Sequence, residues 1–164
     1  MKPALLAAAC LGLVVVPFAA CDDSLQCTLA GCQSTLELRI EVADGGRLPD
    51  ASYEIVVELD GIPYVTACGQ PQPGMFACEP VEGPAAFVVE ANPYTDGSAI
   101  GLTVWADEGE GDGPQRVRLT VVSGDAPLVD TTTEPTYETR FPNGEACGPS
   151  CVQGEQITAT FARP

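Results

Sequence analysis

The chain has 164 residues, a length that suits one domain better than two. It carries 23 acidic and 7 basic side chains, for a formal net charge of −16, and it contains no histidine. Binding to nucleic acid requires clustered Lys and Arg, so we expect no nucleic acid among its partners. The lack of histidine excludes Ser-His-Asp and Cys-His nucleophiles and removes the commonest metal ligand.

The N-terminus has the layout of a signal peptide. Met1 and Lys2 supply a positive start, and residues 4–16 form an uncharged apolar run that Pro17 ends. About thirteen residues is the length of a signal-peptide core and is short for a membrane span. A buried N-terminal helix is the alternative, but the run lacks the polar face that such a helix shows. We therefore predict that residues 1–20 are a signal peptide.

The segment Phe18-Ala19-Ala20-Cys21 closes this region. It resembles the lipobox of bacterial lipoproteins: Ala19, Ala20 and Cys21 match, and Phe18 stands where Leu is usual. The resemblance implies that Cys21 carries lipid after cleavage and anchors the chain to a membrane of the bacterial cell envelope. The outer membrane or cell surface is favoured over the inner membrane. Ordinary secretory cleavage is the alternative, but it would put bulky Phe18 where a small residue is preferred.

Residues 21–34 show no apolar period, so they are predicted to be the lipidated Cys and a polar tether. The domain that follows, residues 35–164, contains short apolar or alternating segments separated by Gly, Pro, Asn and Asp, which is typical of β-strands. The predicted strands cover residues 35–42, 53–59, 62–68, 76–78, 85–91, 100–105, 116–122, 128–133, 136–141 and 156–161.

The predicted fold is all-β: a two-sheet, immunoglobulin-like sandwich of about 8–10 short strands. The 17 Gly and 15 Pro belong in turns and disfavour helices. Trp105 is expected to anchor the core, and Arg39, Arg116 and Arg118 are expected to face solvent because their apolar neighbours alternate with them.

The chain has eight cysteines, of which Cys10 leaves with the signal peptide and Cys21 is assigned to lipid. An even number in an exported chain predicts disulfides. Zinc is the alternative, because the spacings of the outer pairs lie within reach of zinc sites, but exported thiols oxidise. The six cysteines predicted to form disulfides are Cys27, Cys32, Cys68, Cys78, Cys147 and Cys151.

Their pairing is open, since six cysteines allow fifteen connectivities. Cys68 and Cys78 enclose two Gly and two Pro, so we predict a disulfide across a turn between two strands. For the other four, bridges from Cys27 and Cys32 to the C-terminal pair are preferred, because a long loop restricts the unfolded chain more. A local Cys147–Cys151 bridge is the alternative.

One loop is rich in carboxylates. Asp107, Glu108, Glu110 and Asp112 lie among glycines, and calcium binds to six to eight oxygens that such loops can supply. The spacing does not match an EF-hand, because Asp112 stands where Gly is needed and Arg118 where Glu is needed. A solvated hairpin tip is the favoured interpretation, and no metal or cofactor is expected.

No catalytic motif stands out. Lys2 is the only lysine and leaves with the signal peptide, so the mature chain has no lysine base or Schiff base. We therefore expect a non-catalytic interaction or structural module, held to the membrane by lipid, with an envelope protein as a possible partner. The alternative is a calcium-modulated or small-ligand binding module, and an enzyme is the least favoured. A pocket with convergent polar groups would favour ligand binding, and an exposed apolar patch would favour a protein partner.

Overall fold

The computed structural model describes residues 33–106, 113–142, 144–147 and 150–163. They form eleven strands and one short 3₁₀ turn at Glu145–Cys147, with no α-helix in the described part. The strands are β1 (Thr35–Val42), β2 (Tyr53–Leu59), β3 (Ile62–Gln72), β4 (Met75–Cys78), β5 (Phe87–Pro93), β6 (Ala99–Ala106), β7 (Val117–Ser123), β8 (Ala126–Thr133), β9 (Tyr137–Arg140), β10 (Cys151–Gly154) and β11 (Ile157–Phe161).

The strands form two sheets, as predicted. The six-stranded sheet has the order β5-β6-β1-β10-β9, with β11 also paired to β1, and the five-stranded sheet has the order β4-β3-β2-β7-β8. This order is that of an immunoglobulin variable domain, with β1 in the place of strand B, β2 in that of strand C and β7 in that of strand F. The predicted immunoglobulin-like sandwich is confirmed, although the chain has more strands than we expected.

The strand beside β1 distinguishes this sandwich from the usual arrangement. In an immunoglobulin domain that place belongs to the first strand, whereas here the last strand, β11, occupies it. β11 runs parallel to β1 from the Leu38–Ile157 pair to the Val42–Phe161 pair. Beyond it, Arg163 forms an ion pair with Asp44 at 3.2 Å, which ties the C-terminus to the loop after β1.

The core lies between the two sheets and comes from strict alternation. In β1 every second residue is buried, and the same pattern recurs in β2, β6 and β7. Aliphatic and aromatic side chains fill the space between the sheets, and burying each of them removes apolar surface from water. The largest fully buried side chains are Tyr53, Leu36, Leu38, Ile40, Ile55, Leu59, Ile100, Leu102 and Leu119.

Sequential strands are joined by tight turns. Asp60 and Gly61 connect β2 to β3 with positive φ values of 52° and 84°, as a type I′ hairpin turn requires. The Asp60 carboxylate also accepts hydrogen bonds from the backbone N–H groups of Gln115 and Arg116, at 2.9 and 2.8 Å. This carboxylate therefore connects the β2–β3 turn to the start of β7.

One expectation was wrong. Trp105 does not anchor the core: it is half-buried and stands on the outer face, because Ile100, Leu102 and Val104 are the buried residues of β6. The acidic segment that was expected to be a hairpin tip, residues 107–112, lies outside the described residues; β6 before it and β7 after it belong to different sheets. Strand β10 was also missed, because its four residues are too few to show a period.

Candidate functional site

The predicted site residues fall into two groups. Cys21, Cys27 and Cys32 lie outside the described residues, as do the calcium candidates Asp107, Glu108, Glu110 and Asp112. Cys68 and Cys78 face each other across β3 and β4 and form a disulfide with an S–S distance of 2.05 Å. This pairing is confirmed. Cys151 is disulfide-bonded as well, while the choice between long-range and local pairing stays a prediction.

The outer face of the six-stranded sheet carries the most distinctive surface chemistry. Antiparallel pairing places Trp105 between Val88 of β5 and Thr35 of β1, and Val88 is 47% exposed. Two residues back along β6, Thr103 lies between Glu90 and Glu37. Side chains at alternate positions share one face of a sheet. The largely apolar row of Val88, Trp105 and Thr35 therefore lies beside the polar row of Glu90, Thr103 and Glu37.

The third row contains a glycine that makes room for an aromatic ring. Gly101 pairs with Asn92 on one side and with Arg39 on the other. The Tyr94 ring lies over Gly101, so near that a Cβ at that position would be 3.2 Å from the ring. Tyr94 follows β5 and opens the turn into β6, where its carbonyl accepts a hydrogen bond from Gly97 N–H at 2.9 Å. The turn thus positions the ring on the sheet.

Arg39 lies over one face of this ring, whereas Gly101 lies near the ring edge formed by Cδ2 and Cε2. Its guanidinium lies 4.5 Å from the Tyr94 ring centroid, within the range of a cation–π contact. The Arg39 Nε also donates a hydrogen bond to Glu41 at 2.6 Å, and this bond raises the pKa of the guanidinium above its ordinary value. Arg39 therefore has a carboxylate and a ring as partners already.

Tyr94 borders a shallow cleft of about 350 Å³ on this face. Its floor includes Gly101 and Thr103 of β6. Besides Tyr94, five polar side chains line the cleft, and none of them is hydrogen-bonded to another described residue: Glu37, Asn92, Thr95, Thr103 and Gln156. A carboxylate, two amides and two hydroxyls therefore leave both donors and acceptors for a ligand.

Other grooves offer fewer unused groups. An open groove of about 460 Å³ lies beside the Cys68–Cys78 disulfide, but its Gln70 amide donates a hydrogen bond to Asp50. Alanine, glycine and proline supply much of the remaining lining. Among the residues that the structure describes, no three metal-ligating side chains come together. The cleft beside Tyr94 is therefore the best candidate site, although it is smaller.

The outer face of the five-stranded sheet differs in kind. Arg118 is paired with Asp130 at 2.9 Å and lies 3.6 Å from Glu58. The hydrogen bond from Arg118 lowers the pKa of the Asp130 carboxyl below its ordinary value. The neighbouring row contains Val65, 39% exposed, beside Val56. Three charged groups on this face, Arg118, Asp130 and Glu58, thus lie together as an ion-pair cluster.

Comparisons with known proteins do not extend these observations. No protein-family model, no curated protein and no solved structure matches this chain. A search of the described residues for a helix long and apolar enough to cross a membrane finds none.

The cleft residues were not singled out from the sequence. Alternation in β1 places Glu37 and Arg39 on the outer face, but it does not say which strands lie on either side. Tyr94 and Gln156 reach the cleft only because β5 and β11 flank β6 and β1. The glycine at position 101, inside a predicted strand, was the available signal, since such a glycine often marks a close approach.

Proposed function

We propose that this chain is a lipid-anchored lipoprotein of the cell envelope and that its β-sandwich is a non-catalytic interaction module. The signal-peptide pattern and the lipobox resemblance at Cys21 support the anchor. Two acyl chains or more hold a protein stably at a membrane, whereas one holds it only marginally.

The binding surface in this proposal is the outer face of the six-stranded sheet. One observation carries it: a cleft of about 350 Å³ holds hydrogen-bonding side chains that have no partner among the described residues. Ligand sites combine apolar surface with a few convergent polar groups, and Tyr94 supplies the apolar part here. The same observation favours the small-ligand version of this module over a purely structural one.

The anchor is tested by replacing the proposed lipidated residue. Cys21→Ser removes the sulfur that would carry the lipid, so we expect the protein to leave the membrane fraction or to accumulate uncleaved. Fractionation and mass spectrometry of the mature chain measure both outcomes. Cys10→Ser is the matched control, because Cys10 precedes the predicted cleavage point and should not alter fractionation. An unmodified Cys21 in the mature wild-type protein would refute the anchor.

The module is tested separately, with the full chain in detergent. Tyr94→Ala and Glu37→Gln should reduce its retention on isolated envelopes, whereas Thr120→Ala on the outer face of the other sheet should not. Equal retention of all three variants would contradict the assignment of the binding face.

A further inference from the structure

We infer that the cleft beside Tyr94 binds a neutral, hydroxyl-rich ligand of the saccharide class. This inference rests on the proposed function and adds the chemistry of the ligand. It follows from the unused groups on the outer face of the six-stranded sheet, their charge, and the spacing of two aromatic side chains.

The unused groups match hydroxyls. Glu37 offers acceptor oxygens only, whereas the amides of Asn92 and Gln156 and the hydroxyls of Thr95 and Thr103 both donate and accept. A sugar hydroxyl also donates and accepts, so a ring bearing several of them suits this mixture of side chains. A purely apolar ligand would leave these polar groups without partners, which is costly in a covered site.

The Tyr94 ring suits the face of a sugar ring that carries C–H groups. Tyr94 is 38% exposed, borders the cleft and is held by Arg39 and the Gly101 backbone. A pyranose presents C–H groups on one face, and an aromatic ring with its negative π-face attracts such weakly positive hydrogens. Because the ring is already positioned, binding orders little that was free before.

Charge disfavours an anionic ligand. Glu37 and Glu90 flank Thr103 on this face, and the chain carries a net charge of −16. Two described cations lie nearby: Arg39 is paired with Glu41 and stacked on Tyr94, and Arg47 lies against Gly97 of the turn and does not line the cleft. A phosphate or carboxylate ligand would therefore meet Glu37 with no cation among the described residues that line the cleft.

The length of the ligand follows from Trp105. It stands on the same face four residues along β6 from Gly101, which carries the Tyr94 ring, and a strand rises about 3.3 Å per residue, so the two positions are roughly 13 Å apart. One sugar ring cannot reach both. We therefore assign Tyr94 to one end and Trp105 to the other end of a short oligosaccharide.

The experiment uses the full chain in a detergent without a sugar headgroup and follows binding by NMR or calorimetry. The probes are a neutral glucose trisaccharide and a neutral N-acetylglucosamine trisaccharide, each with its monosaccharide. Oligogalacturonate is the anionic comparison, and spermidine and calcium are the cationic ones. We expect at least one neutral trisaccharide to bind and the anion not to bind.

The variants locate the site. Tyr94→Ala should weaken trisaccharide and monosaccharide alike by about tenfold, and Glu37→Gln should weaken both less. Trp105→Ala should weaken the trisaccharide only, which a merely structural loss would not reproduce. Val65→Ala, on the outer face of the five-stranded sheet, is the control and should leave binding unchanged, and thermal unfolding checks that every variant is folded.

Several results would overturn this inference. The first is that spermidine or calcium binds and no sugar does. The second is that neutral sugars bind and Tyr94→Ala leaves their affinity unchanged. The third is that none of the neutral probes binds. None of these affects the membrane fractionation of Cys21→Ser, so the lipid anchor is judged independently. Shorter products appearing from a trisaccharide would instead contradict the non-catalytic part of the proposed function.

Discussion

The two sheets of this sandwich are built from the chain in different ways. In the five-stranded sheet, β2-β3-β4 and β7-β8 are runs of hairpins, and only the β2–β7 pair is distant in sequence. In the six-stranded sheet, β1 pairs with β6 on one side and with β10 and β11 on the other. The outer faces differ too: the first carries the Arg118–Asp130 ion pair, and the second has polar groups without a described partner beside the Tyr94 ring. The candidate site therefore lies on the sheet in which more of the strand pairs join distant parts of the chain.

Removing β11 is the most direct way to test the importance of distant pairing. A chain that ends after Gln156 loses the buried Ala159 and Phe161 and leaves the β1 backbone without its parallel partner. We expect no cooperative unfolding transition by circular dichroism, because buried unpaired backbone groups and lost apolar contacts both act against the fold. A chain lacking only residues 162–164 is the control and should still unfold cooperatively. A cooperative transition in the shorter chain would show that the five-stranded sheet suffices.

Matched core truncations compare the two sheets directly. Ile40 in β1 and Ile55 in β2 are both fully buried, so Ile40→Ala and Ile55→Ala remove the same atoms from opposite sides of the core. Each should lower the free energy of unfolding by about 2–5 kcal/mol, as measured by denaturant titration. Similar losses indicate one cooperative core. A loss below about 1 kcal/mol at either position would indicate that this sheet is loosely packed.

The Cys68–Cys78 disulfide tests the end of the five-stranded sheet. It closes a loop with a sequence separation of 10, and the loop-entropy model gives about 3 kcal/mol for such a closure. The double variant with both cysteines changed to Ala should lose roughly that amount in a non-reducing denaturant titration. A double variant as stable as the wild type would show that the β3–β4 hairpin holds without its bridge.

The smallest expected effect is on the pH dependence of stability, which should differ between the two outer faces. Arg118 lowers the pKa of Asp130 in the folded state from an ordinary value of 3.8, so the ionised form favours folding. This stabilisation is present above that ordinary value and is lost as the pH falls through the lower, folded-state pKa. Asp130→Asn should therefore destabilise the protein slightly at neutral pH, with the difference shrinking as the pH is lowered from about 5 toward about 2.

The matched control for this experiment is Glu90→Gln on the six-stranded sheet, because Glu90 has no ion pair with a described residue. Its effect on stability should not follow the same pH dependence. A difference between Asp130→Asn and wild type that stays constant down to about pH 2 would contradict the role given to Arg118.

Much of the fold is predictable because alternation and turn chemistry are local. The predicted bounds of β1 and β2 agree with the structure, and Asp60-Gly61 forms the turn that such a pair predicts. Trp105 was misplaced because a large aromatic residue was expected inside, although the buried positions of β6 end at Val104. The period of the strand was the better guide than the size of the side chain.

The candidate site was less predictable because it depends on register between distant strands. Glu37 and Gln156 are far apart in sequence and share a cleft only because β11 lies beside β1. Strand pairing is a tertiary property that a single sequence does not encode in its local pattern. The cysteines show the same contrast. The Cys68–Cys78 disulfide was predictable from the turn between them, whereas the pairing of Cys27, Cys32, Cys147 and Cys151 was not.

The parallel pair β1–β11 also sets an order of events during synthesis. The ribosome delivers β1 at residue 35 long before β11 at residue 157, so one edge of β1 stays open while nearly the whole domain emerges. Contacts that join distant parts of a chain slow folding, and an open strand edge can pair with another molecule in the meantime. The six-stranded sheet is not complete until β11 is available, and until then the edge of β1 that β11 covers can pair with another chain.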